Sequence, residues 1–191
     1  RHRIGGFVAG QHGTDLVPLW STVRVSGLDV SERMAAVAGL RRGRTLDGFE
    51  EEIARAQREL LTMEIGAAYE LVDTWPADLR AIVRPWLTHT SGAKTAAGTA
   101  GATVDLVDTL LDGREIVVAG QVALDGEATV GGEPLVGVLG VPVVLGPEGW
   151  TRVLLDEPAP DEARRLHSCA ARIDASLAPW GLDRAGAACA P

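Results

Sequence analysis

The stretch "PLVGVLGVPVVLG", residues 134–146, is apolar at almost every position, yet Gly137, Gly140, Pro142 and Gly146 interrupt it. Gly and Pro weaken a helix, and a bilayer span needs roughly 18 continuous apolar residues, so the stretch reads as a buried strand. Two more strand candidates flank it: "EIVVAGQVAL" at 115–124, and "GWTRVLL" at 149–155, which the turn "GPEG" at 146–149 joins to it. The chain must therefore build a sheet.

The N-terminus offers a second set of strands. "RIGGFVAG" reads as a strand entering a turn at His12, and "LVPLWSTVRVSG" as the strand that leaves it, with Gly27 as its stop. Together they predict an antiparallel pair. Helical spacing of Phe49, Ile53, Leu60, Leu61, Ile65 and Ala68 predicts the longest helix, from Thr45 to about Leu71. Its acidic triplet Glu50–Glu52 falls in the first turn, where carboxylates meet the positive end of the helix dipole, and this accounts for the triplet without a metal. "WPADLRAIVRPW" predicts a short helix opened by Pro76 and closed before Pro85. A further helix carries Val104, Leu106, Val107, Leu110 and Leu111 and closes at Gly113. In the last helix Leu166, Cys169, Ala170, Ile173 and Leu177 form one face.

With 191 residues, 46% of them apolar, there is material for one sizeable core, so residues 1–191 are read as a single domain. A net charge of −8 argues against a nucleic-acid partner, because phosphate binding draws on clustered Lys and Arg. Cys169 and Cys189 lie far apart with no zinc-type spacing, and no basic segment precedes an apolar run at the start. A reducing cytoplasm and no membrane segment are the expectation. Of the 18 basic residues all but Lys94 are arginine.

Two Gly-rich stretches fail as nucleotide sites. "SGAKT" lacks the earlier glycine of a P-loop, since Leu87 stands there, and "GTAGAT" has neither the third glycine nor the preceding strand of a dinucleotide fingerprint. The segment "GQHGTDLVPLW", residues 10–20, is more informative. Gly10 and Gly13 flank His12, permit tight turn geometry and let a small molecule approach the backbone beside an imidazole. His89 and His167 read as structural or exposed.

The segment "GQHGTDLVPLWSTVRVSG" resembles the start of the catalytic domain of lactate and malate dehydrogenases, where a Gly-x-His-Gly turn precedes a "VPL" strand. "EIVVAGQVALDGE", "GVPVVLGPEGWTRVLL" and "PAPDEARRLHSCAARIDASL" are similar to that domain's strand, hairpin and terminal helix. The resemblance implies an α+β fold of antiparallel strands packed with helices, like the C-terminal domain of that family. It implies His12 as proton donor and acceptor, a small carboxylate substrate, NAD or NADP as cofactor, and a homo-oligomer. The family's dinucleotide-binding domain, with the segment that carries the histidine's Asp partner and the carboxylate-clamping Arg, is expected outside this chain. Lys94 and Thr95 fall near the family's substrate-contacting loop, where an ammonium and a hydroxyl at a helix start could hold a carboxylate.

Two features depart from the family pattern. Thr14 and then Asp15 follow the glycine where the family has Asp directly, so the role of Asp15 stays open, and the stretch from Phe49 to Trp86 is longer than the family's connection. Two other readings stand beside the dehydrogenase. One is a stand-alone, non-redox enzyme that uses His12 for acid–base chemistry, and the other is a non-catalytic subunit that keeps the fold.

Overall fold

The computed structural model describes residues 3–92 and 96–181. The N-terminal strands are β1 (Ile4–Gly5), β2 (Val8–Gly10), β3 (Leu16–Pro18) and β4 (Arg24–Val25). Helices α1 (Val30–Arg41), α2 (Phe49–Leu60), α3 (Ile65–Thr74), α4 (Ala77–Thr90) and α5 (Ala96–Leu111) follow. Strands β5 (Ile116–Val130), β6 (Glu133–Gly146) and β7 (Gly149–Val153) lead into the last helix, α6 (Pro160–Leu177). Every strand pairing among the described residues is antiparallel, and the class is α+β as expected.

The apolar stretch of residues 134–146 is the centre of the sheet. Strand β6 pairs with β5 along nearly its whole length, with β7 beyond the Gly146–Gly149 turn, and with β2 at Gly10 opposite Gly140. The β5–β6 turn is Gly131-Gly132, both at positive φ (63° and 82°), as a two-residue hairpin turn whose twist matches its strands requires. Residues alternate between sheltered and exposed along the first half of β5, so one face is covered. Against that sheet α6 lays Leu166, Cys169, Ala170 and Ile173, all buried, at helical spacing. They join Leu135, Leu139 and Val141 of β6 and Val17 of β3 in a core that continues through Phe49, Ile53, Val72 and Val83 of the middle helices.

Three expectations are corrected. The helix expected from Thr45 to about Leu71 is two helices, α2 and α3. Glu64 stands between them in an extended conformation, and its carboxylate accepts from the N–H groups of Gly66 and Ala67, so a new helix starts where the apolar spacing alone reads straight through. The helix expected to close before Pro85 runs on to Thr90 with Pro85 inside it. The cost is the missing Pro85 N–H, which would otherwise bond the Ala81 carbonyl, and buried Leu79, Ile82, Val83 and Leu87 hold the helix together across the gap. Finally, the expected second N-terminal strand breaks at a 3-10 turn, Trp20–Thr22, so that β3 pairs with β2 while β4 pairs with β1.

Candidate active site

His12 sits at the exposed tip of the β2–β3 hairpin. The loop closes through Gln11 N–H to the Asp15 carbonyl (3.4 Å) and Leu16 N–H to the Gly13 carbonyl (3.3 Å). Gly10 is indispensable to this geometry: at φ 86° a Cβ there would lie 2.3 Å from the Asp15 carbonyl oxygen. On the neighbouring strand a Cβ at Gly140 would lie 2.3 Å from the Gly10 carbonyl oxygen, so the hairpin rests on β6 through paired glycines.

Across from His12 stands α4. Ala77, Ala81, Arg84, Pro85 and Thr88 recur at helical spacing and, with Arg80 and His89, form one wall of a cavity of about 650 Å³ that His12 and Trp20 also line. A second cavity of about 450 Å³ shares His12, Ala81, Pro85 and His89 and extends towards Val8, Leu16 and Trp86. The two form one groove beside the imidazole. His89, expected to be structural or exposed, is exposed and also lines this groove. The sequence signal that could have found it is the helix itself, once Pro85 is allowed to lie within it. His167 is instead structural, its Nε2 lying 2.8 Å from the Val130 carbonyl oxygen.

The groove's two arginines differ in charge balance. Arg84 is ion-paired with Asp73 and lies 6.0 Å over the Tyr69 ring. Arg80 donates to the Asp73 carbonyl at 3.1 Å, and among the described residues no carboxylate lies within 4.0 Å of it. It is half-buried and is among the residues that line the groove. The Tyr69 hydroxyl donates to Thr88 Oγ1 at 3.0 Å.

Behind the hairpin, α6 supplies charged anchors. Glu162 is fully buried and accepts from the Ser21 hydroxyl (2.5 Å) and the Ser21 N–H (3.1 Å), which fixes the turn that carries Trp20 into the groove. Burial pushes its carboxyl up, and the Ser21 hydrogen bonds only partly offset this. Its neighbour Asp161 behaves oppositely: burial works against the carboxylate, but the hydrogen bonds from Arg41 (2.5 Å) and Leu46 N–H (2.8 Å) outweigh it and hold the pKa low. Asp15 pairs with Arg172 at 2.6 Å, so the displaced acid of the turn faces α6 rather than solvent. Of the expected acidic triplet, Glu50 pairs with Arg165 and Arg172, and Glu52 with Arg44. Lys94 and Thr95 lie outside the described residues. Among the described residues no helix is long and apolar enough to cross a membrane.

No family model matches the chain. A stretch of 31 residues, 16% of this chain and 10% of the other protein, is 58% identical to the malate dehydrogenase of Sulfurisphaera tokodaii. Among solved structures, the ligand-free minor L-lactate dehydrogenase of Enterococcus mundtii is similar over 92% of this chain and 46% of its own, with a TM-score of 0.57 and 18% identity. A lactate dehydrogenase from a Medee basin deep-sea metagenome library matches the same shares at TM-score 0.54 and 15% identity. The L-lactate dehydrogenase of Clostridium thermocellum matches them at TM-score 0.53 and 18% identity. The chain thus spans about half the length of the dehydrogenases it resembles and shares their fold over that half.

Proposed function

We propose that this chain, built on the fold of the lactate dehydrogenase C-terminal domain, is the catalytic and substrate-binding part of an oxidoreductase for small 2-hydroxy and 2-oxo acids. The observation that carries the proposal is His12, held on a glycine-bounded turn and opening onto a groove that is also lined by Arg80, an arginine with no carboxylate within 4.0 Å among the described residues. As the carbonyl carbon of a 2-oxo acid is reduced, its oxygen gains negative charge. A protonated imidazole within hydrogen-bond reach neutralises that oxygen, and in the reverse direction the neutral ring takes the proton back. Arg80 is the groove cation suited to the substrate carboxylate, with Lys94 and Thr95 as further contacts implied by the resemblance.

A nicotinamide is the cofactor the fold family implies. A dinucleotide's pyrophosphate rests on a parallel strand, a Gly-rich turn and a helix N-terminus, whereas every strand pairing among the described residues is antiparallel. The described residues do not fit the group. NAD or NADP would be held by a segment outside them, and the chain's own contribution is the proton and the carboxylate contact. A homo-oligomer in a reducing cytoplasm completes the reading.

The test is turnover of a panel of small 2-oxo acids with NADH or NADPH, by the wild-type protein and His12→Asn. Turnover should fall by a factor of about 100 or more in the variant, with the fold intact. Equal turnover in the two proteins would remove His12 from the chemistry. Arg80→Met should raise KM for the oxo acid by roughly tenfold, the cost of one charge-assisted hydrogen bond.

A further inference from the structure

The turn that carries His12 is gripped from behind by one face of α6. Arg165, Cys169 and Arg172 lie at i, i+4 and i+7 and so share that face. Arg165 is 4% exposed; its Nη2 donates to the Thr14 carbonyl and its Nε to the Leu16 carbonyl at 3.4 Å. Its guanidinium also lies 5.2 Å over the ring of buried Phe49. Arg172 pairs with Asp15 at 2.6 Å. Both arginines converge on one oxygen, Glu50 Oε1 of α2, at 3.4 Å from Arg165 and 2.7 Å from Arg172. Three consecutive residues, Thr14, Asp15 and Leu16, are therefore each held by α6, two residues beyond the imidazole.

We propose that Arg165 and Arg172 are positioning residues for His12, latching the catalytic turn to α6 with Glu50 as their common counter-charge. The role of Asp15, one place later than in the family pattern, follows from this. At this position its carboxylate reaches Arg172 on the helix behind. A Gly-flanked loop has many accessible conformations, and three contacts from a rigid helix remove most of them before substrate arrives. Arginine suits this role because the Arg165 guanidinium offers several fixed donors to two carbonyls and a carboxylate at once, which an ammonium cannot match.

The inference rests on the proposed proton transfer for its effect on rate, but the placement of the ring can be read independently of catalysis. The experiment records the NMR signals of the histidine rings at 12, 89 and 167, together with kcat and KM, in wild type, Arg172→Met, Asp15→Asn and the control Arg164→Met. Arg164 is exposed and pairs only with Asp47 among the described residues, so its removal leaves the latch whole. In Arg172→Met and Asp15→Asn the single His12 signal should broaden or split while those of His89 and His167 stay in place. The value of kcat should fall by about 10- to 100-fold with KM nearly unchanged, and Arg172→Lys should restore part of it. Asp15→Asn keeps the shape of the side chain and guards against a variant that fails to fold. A His12 signal unchanged in both variants would overturn the latch. A His12 signal that splits while kcat holds would leave the latch standing and remove the proton-donor reading instead.

Discussion

Helices α5 and α6 are of similar length and meet opposite fates. The 16 residues of α5 bury none of their side chains, although the helix carries Val104, Leu106, Val107, Leu110 and Leu111 and only two charges. The 18 residues of α6 bury eight, three of which are Asp161, Glu162 and Arg165. Apolar content therefore does not decide burial here. What decides it is pattern: α6 sets Leu166, Cys169, Ala170 and Ile173 along one stripe, which the sheet face of β6 receives. Its charged residues go under because each finds a partner, Arg41 for Asp161, Ser21 for Glu162 and the turn carbonyls for Arg165. The imidazole belongs to the α6 side of this contrast.

The sharpest way to break the comparison is to remove the same atoms from both helices. Leu166→Ala, at a fully buried site, should cost about 2–5 kcal/mol in urea unfolding, while Leu111→Ala, at an 81% exposed site, should stay within about 0.5 kcal/mol. Similar losses would mean that α5 is packed in solution.

A second measurement separates the two carboxylates that open α6. Glu162 has a raised pKa, so it supports the fold fully below the ordinary carboxylate range and loses that contribution as pH rises through its folded value. Asp161 has a lowered pKa, so its support is present above the ordinary range and is lost as pH falls through its folded value. The destabilisation caused by Glu162→Gln should therefore shrink with rising pH across the acid range, and that caused by Asp161→Asn should grow. Unfolding curves at several acid pH values check the opposite slopes, and slopes of the same sign would contradict the assignment.

The smallest effect belongs to α1, which like α5 buries nothing but is started by a reciprocal cap, with Asp29 accepting from Glu32 N–H at 2.9 Å and Glu32 accepting from Asp29 N–H at 3.0 Å. Asp29→Ala should cost about 1 kcal/mol. A loss near that of Leu166→Ala would show that α1 is anchored by packing.

What could be read from residues alone follows the same division. The His12 hairpin, the strands of β6 and β7 and the α6 stripe were legible because glycine punctuation and apolar spacing agree with the final packing. The break between α2 and α3 was not, because it is made by the Glu64 side chain turning back on its own backbone while the apolar spacing continues past it. Pro85 hid the second half of α4, and with it the place of His89 in the groove, since only tertiary packing keeps a helix running through a proline. Likewise β5 runs on past Leu124, where the expected strand ends, through an irregularity between Asp125 and Ala128. Glu162 and Arg165 lie outside the expected apolar face of the last helix, and their burial follows from partners more than a hundred residues away.

Hydrogen exchange on the native protein tests the central claim, that the imidazole is carried by the firmly packed part of the molecule. The amide of Leu16, bonded within the His12 turn, should be protected to about the same degree as that of Ala170 in α6, exchanging only when the whole fold opens, while that of Val107 in α5 exchanges by local opening. A Leu16 amide that exchanges as fast as Val107 would contradict the account, for the turn would then be moving independently of the helix said to hold it.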